Sequence, residues 1–241
     1  MPRSHDLPPE PHLWLDLGVL SLFAGHVSEI PLSRRVQWIA LRPDAIRSDL
    51  VKQLNETRNY GCQVACVAGS RVEVAVECLE ESDVKVAALI GFPFGSSDGD
   101  VKRYEVEVAV DAGAQEIHCV FNLGWLKEGL DARILRELRD IREAADERPV
   151  TAIVEMGILT PEEAGRAVRL TIDAECQFLA TATGCAARQT SVEDVRLLRE
   201  IAGESLGITA VGGVYGPDEA SALIEAGANR VGVFSLSKLC F

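Results

Sequence analysis

No two of the seven cysteines stand at C-x-x-C spacing, and their number is odd. The four histidines, His5, His12, His26 and His118, never fall at metal-ligand spacing from one another. A disulfide framework and a structural zinc site are therefore not expected, and a reducing cytoplasm is the default compartment. Positive charge is scarce as well: 24 Lys and Arg face 37 Asp and Glu, a net charge of −13. Such a surface repels phosphates, which argues against nucleic acid or an anionic membrane as partner. Long apolar runs are missing too. The segment "LWLDLGVLSLFAG", Leu13 to Gly25, is short, carries Asp16 and follows a Pro-rich, acidic start, so it is neither a signal peptide nor a membrane span. No G-x-G-x-x-G follows the first strand and no Walker A sequence occurs, which removes dinucleotide and P-loop readings.

What is present is a rhythm. Across 241 residues, 47% of them hydrophobic, short β-branched runs alternate with longer amphipathic ones. Strands are predicted at "VQWIA", "QVACV", "KVAALI", "EIHCVF", "TAIVEM", "QFLAT", "GITAV" and "RVGVF". Between them the apolar spacing changes from runs to 3.6 residues, predicting helices such as "RSDLVKQLNETRNY" and "PEEAGRAVRLTID". Thr160-Pro161, Ser191 and Gly216-Pro217 read as helix starts, and Gly113, Gly203 and Gly227 as stops. Eight strand–helix units without a Pro/Ser-rich linker indicate an α/β fold, a single closed (β/α)₈ TIM barrel. Residues 34–241 form that domain, with 1–33 as an extension expected to pack on it. After "RVGVF" only "SLSKLCF" remains, so the last helix is shortened. The apolar extension is expected to cover the groove this leaves, within the chain or across a homodimer.

Several segments in order resemble the deoxyribose-phosphate aldolase family: "ALIGFPFG", "EIHCVFNLGWLKEG", "IVEMGILTPEE", "TATG" followed by "TSVEDV", "AVGGVYGPDEASALIEAGANRVG" and, more weakly, "ACVAGSRV". They span roughly residues 34–235. The resemblance implies a TIM barrel that makes and breaks a carbon–carbon bond through a lysine imine on strand six. Where the family reads K-T-S-T-G, this chain reads A-T-A-T-G, which puts Ala180 at the imine position. Thr209 stands where the family keeps a second lysine on strand seven, and Thr151 where it keeps one on strand five. His118 replaces the strand-four aspartate of the proton relay, and Gln37-Trp38 replaces an Asp-His pair on strand one. Alanine cannot form an imine. Of the five lysines, Lys52, Lys85, Lys102, Lys127 and Lys238, only Lys238 is expected near the barrel mouth.

If the family's inward positions carry over, the cup is lined by Cys66, His118, Val120, Asn122, Thr151, Ile153, Glu155, Ala180, Ala182, Thr209 and Val211. Among these His118 is the only group that titrates near neutrality, and Glu155 the only carboxylate. His118, Glu155 and Asn122 are the candidate catalytic residues; as structural alternatives, His118 is a hydrogen-bonded interior histidine and Glu155 a scaffold glutamate. Cys66, Thr151, Ala180, Thr183, Gly184, Thr209, Gly212, Gly213, Tyr215, Phe234 and Ser235 are the candidate substrate contacts. Gly184, Gly212, Gly213, Gly232 and Ser235 match the family's phosphate cradle. Its basic or serine partners, however, are Cys185, Tyr215 and Phe234 here, which favours a substrate without phosphate. No metal or cofactor is expected. Three functions compete: a repurposed biosynthetic barrel doing acid–base or template chemistry on a small carbonyl substrate, a non-catalytic binding or regulatory subunit, and deoxyribose-phosphate aldolase itself.

Overall fold

A computed structural model describes residues 30–40, 42–185 and 188–239. The N-terminal extension, and with it the segment expected to cover the barrel in one chain or across a homodimer, lies outside the described residues. Eight strands close into a parallel barrel in sequence order: β1 Val36–Ile39, β2 Val64–Ala68, β3 Lys85–Ile90, β4 Glu116–Val120, β5 Val150–Ile153, β6 Phe178–Ala180, β7 Gly207–Val211 and β8 Arg230–Val233. The helices are α1 Arg47–Tyr60, α2 Val72–Leu79, α3 Gly99–Asp111, α4 Leu123–Glu128, α5 Asp131–Ala144, α6 Pro161–Asp173, α7 Val192–Ala202 and α8 Pro217–Glu225. After β8 the described chain adds only a 3₁₀ turn, Leu236–Lys238. No described helix is long and apolar enough to cross a membrane.

Local chemistry sets these boundaries. Thr160 caps α6 and Ser191 caps α7, each in a reciprocal box with the residue three positions on, Glu163 and Asp194. Pro161 and Pro217 sit at the first helical positions, where a missing N–H costs nothing. The helix α4 is absent from the sequence expectation, because its six residues are too few for a 3.6-residue period to show. Gly95 has φ +67°, and a Cβ there would lie 1.9 Å from the carbonyl oxygen of Phe121, so only glycine fits the turn after β3. Lys102, fully buried on α3, donates to Glu137 Oε1 on α5 at 2.8 Å and to the Val120 carbonyl at 2.9 Å. That pairing fastens two helices to the end of β4.

The strand register steps along the barrel axis, so inward side chains at one height come from alternate strands. From the N-terminal end upward, the first layer is Val64, Glu116, Phe178 and Arg230. The second is Gln37, Ala87, Thr151 and Thr209. Cys66, His118, Ala180 and Gly232 form the third, and Ile39, Leu89, Ile153 and Val211 the fourth. A polar interior is thus roofed by an apolar layer.

Candidate active site

The charged heart of the barrel lies below the layer that holds Ala180. Arg230 donates to both oxygens of Glu116, at 2.7 and 3.2 Å, and its guanidinium stacks 4.0 Å above the Phe178 ring. Burial by itself raises the Glu116 carboxyl, but the Arg230 charge and the His118 ring outweigh it and hold the group at about 2. His118, two residues on along β4, places Nε2 3.4 Å from Glu116 Oε2 and Nδ1 3.7 Å from Cys66 Sγ. Burial lowers its pKa more than Glu116 raises it, so the ring is neutral near pH 7. The consistent tautomer carries the proton on Nε2, donating to the carboxylate, and accepts from the thiol at Nδ1. Burial, with Glu116 nearby, pushes the Cys66 thiol well up, so it is no thiolate nucleophile. Glu116 and Arg230 add to the barrel interior a carboxylate and a guanidinium that the expected lining did not include; Glu116 does not titrate near neutrality, so His118 keeps that place. The period-two pattern of β4 and β8, carried one step earlier, points to both.

The second layer is unusual in a different way. Gln37 Oε1, Thr151 Oγ1 and Thr209 Oγ1 are all buried without a hydrogen-bond partner. Buried polar groups are nearly always paired, and each orphan costs about 1–3 kcal/mol. Three such atoms share one layer, below the small Ala180. No amine is there. Among the described lysines, Lys52 and Lys127 lie exposed on helices, Lys85 lies exposed at the start of β3, and Lys102 is bound to Glu137.

At the C-terminal rim the expected contacts divide. Asn122 Oδ1 accepts from the Trp125 backbone at 3.2 Å and caps α4, which engages the amide oxygen expected to orient a substrate. Glu155 Oε1 accepts from the backbone and hydroxyl of Thr183, pinning the loop after β6, while Oε2 is buried without a partner. Gly184 has φ +84°, and a Cβ there would sit 2.0 Å from Phe234 Cζ, so the tip of the ring abuts the glycine. Tyr215 and Ser235 are exposed, and the Ser235 hydroxyl pairs with that of Ser237 at 2.8 Å. Gly212 and Gly213 line a cavity of ≈ 80 Å³ with Gln189, Tyr215, Phe234 and Ser235. Gln189 was not among the expected residues; its Oε1 accepts from the Gly213 backbone N–H at 3.0 Å. No described group of three or more His, Cys, Asp or Glu is arranged to hold a metal ion.

No family model matches the chain. Individual relatives do. The chain is 37% identical over 201 residues to a protein named deoxyribose-phosphate aldolase from Clostridium botulinum (strain Langeland), covering 83% of this chain and 95% of that one. A protein of the same name from Thermococcus gammatolerans is 38% identical over 208 residues, covering 85% and 92%. Among solved structures, one described as "QR15, an Aldolase" superposes with a TM-score of 0.84 at 32% identity, covering 87% of this chain and 94% of that one. A tetrameric deoxyribose phosphate aldolase from Aeropyrum pernix gives 0.80 at 25%, covering 86% and 88%.

Proposed function

The chain belongs to the deoxyribose-phosphate aldolase family, and on that footing we propose that it is a carbon–carbon lyase that works without a lysine imine, on a small carbonyl substrate carrying no phosphate. One observation carries the reading: the strand-six position holds Ala180, with Thr209 beside it on β7 and Thr151 in the same layer as Thr209. None of these can capture a carbonyl covalently as an amine does.

What the residues offer instead is acid–base chemistry. The hydroxyls of Thr151 and Thr209 have no partner in the protein and can donate to a carbonyl oxygen held beneath Ala180. His118, neutral and in Ala180's own layer, accepts the proton of a β-hydroxyl at Nδ1, where the hydroxyl takes the place of the Cys66 thiol. The carbon–carbon bond then breaks, its electron pair moves to the carbonyl oxygen as an enolate under the two hydroxyls, and the imidazolium returns the proton to carbon. Glu116 below steadies the charged ring. The carbonyl end must pass the apolar roof, of which Leu89 is the most exposed at 9%. Glu155 shapes the rim through Thr183, and Phe234 on Gly184 gives the far end of the substrate a ring to lie on.

A second reading is deoxyribose-phosphate cleavage itself. The names of the relatives favour it, and by similarity alone it is the better supported of the two; the emptied lysine position is what stands against it. Borohydride reduction in the presence of acetaldehyde or deoxyribose 5-phosphate separates them. We expect no lysine modified beyond the level seen in the acid-unfolded chain. A stoichiometric adduct on one lysine, Lys238 above all, would return the function to the relatives' own.

A further inference from the structure

The rim corner at Gly212 and Gly213 is built to meet an acceptor oxygen, and the protein supplies that oxygen itself. Gln189 Oε1 takes the Gly213 N–H at 3.0 Å, and a Cβ on Gly212 would lie only 2.5 Å from the same atom. The carboxamide oxygen therefore sits against both glycines. Its position is held from both sides along the chain. Arg188 donates to both Asp194 oxygens, at 2.8 and 2.9 Å, and to the Met156 carbonyl at 2.9 Å. The Thr190 hydroxyl bonds that of Thr181 at 2.6 Å and donates to the Val211 carbonyl at 2.5 Å. Phe234, which lines the same cavity, meets Gly184 with the tip of its ring.

We propose that Gln189 is a specificity-determining residue: a neutral internal plug that occupies the backbone donor an oxyanion would take, so that the corner admits only the uncharged end of a substrate. The assignment rests on the proposed non-phosphorylated substrate and supplies a physical cause for it. A neutral acceptor suits this corner because no Lys or Arg is among the described residues lining its cavity. A phosphate placed there would lose hydration and gain no countercharge from the described lining, in a chain of net charge −13. The cradle is plugged rather than dismantled, since the glycine backbone that donates is intact and merely engaged.

The test uses inorganic phosphate as the probe and the full chain labelled with ¹⁵N. In the wild type, the Gly213 amide resonance should not move on phosphate titration into the millimolar range. In Gln189→Ala the same resonance should shift saturably, with affinity at least tenfold above any wild-type binding, and Gln189→Ala combined with Phe234→Ser should bind at least as tightly. Sulfate should behave as phosphate does. Wild-type binding equal to that of Gln189→Ala overturns the proposal, as does failure of both variants to gain affinity while their melting curves stay cooperative. A merely structural glutamine would alter stability without opening phosphate binding. The readout involves no lysine chemistry, so a trapped imine would refute the proposed function and leave this result standing, and the converse holds too.

Discussion

Replacing Thr209 by valine should make this protein more stable and less active. The Thr209 hydroxyl is fully buried and makes no hydrogen bond, so the folded state carries its lost hydration uncompensated. An orphaned hydroxyl of this kind costs about 1–3 kcal/mol, and valine keeps nearly the same volume. Allowing for imperfect repacking, Thr209→Val should gain about 1 kcal/mol, which raises Tm by about 2–4 °C in a domain of this size. Thr151→Val should do the same. The two share a layer, so their sum is not assumed, and the double variant should gain between one and two single steps. Thermal unfolding followed by circular dichroism at pH 7 gives the stability. Turnover of the substrate should move the other way, falling about 10²–10³-fold when an oxyanion donor is lost. A lowered Tm would mean the hydroxyl has a partner in the folded protein, and the orphan argument would be wrong. A raised Tm with unchanged turnover would keep the orphan and remove its role as carbonyl donor.

Arg230→Met leaves the Glu116 carboxylate buried without its guanidinium and should cost about 3–5 kcal/mol, most of it recovered in Arg230→Met with Glu116→Gln; chemical denaturation of the single and double variants checks both. Stability should also fall with acid in two stages. His118 has a pKa lowered from 6.5, so its contribution starts to be lost below that value, whereas Glu116, at about 2 against an ordinary 4.5, loses its share between pH 4.5 and 2. Urea unfolding at several pH values should show a decline that Glu116→Gln removes only in the lower range; a flat profile would contradict the assignment. His118→Ala should lower turnover by about 10²–10⁴-fold, and turnover within a few-fold of wild type would end its proton-transfer role. Ala180→Lys alone should not yield efficient deoxyribose-phosphate cleavage, because Thr209, Thr151 and His118 provide none of the neighbouring charges that would tune the new amine.

Period and caps carried the architecture. The ranges of α1, α6, β3 and β7 coincide with the segments read from the sequence, because an amphipathic spacing, a Thr-Pro start or a β-branched run acts over a few residues. Alternation along each strand, phased by the family's inward positions, also named Cys66, His118, Thr151, Ala180 and Thr209 as inward-facing. What it could not supply was height in the barrel. Glu116 and Arg230 are 114 positions apart, and only the closure of eight registers brings them to one level. The same closure sets three orphaned oxygens in a single layer and seals His118 under Ile39, Leu89, Ile153 and Val211 rather than leaving it at an open mouth. Asn122 and Gln189 show the limit from the other direction: each lies in a loop where no period applies, and whether its amide faces substrate, a helix end or a glycine cradle depends on where the neighbouring strands end. The sequence by itself determined which residues alternate and where elements begin, since those are local properties of the chain; the heights, partners and vacancies around Ala180 were decided by the tertiary structure, since they depend on strands that meet only when the barrel closes.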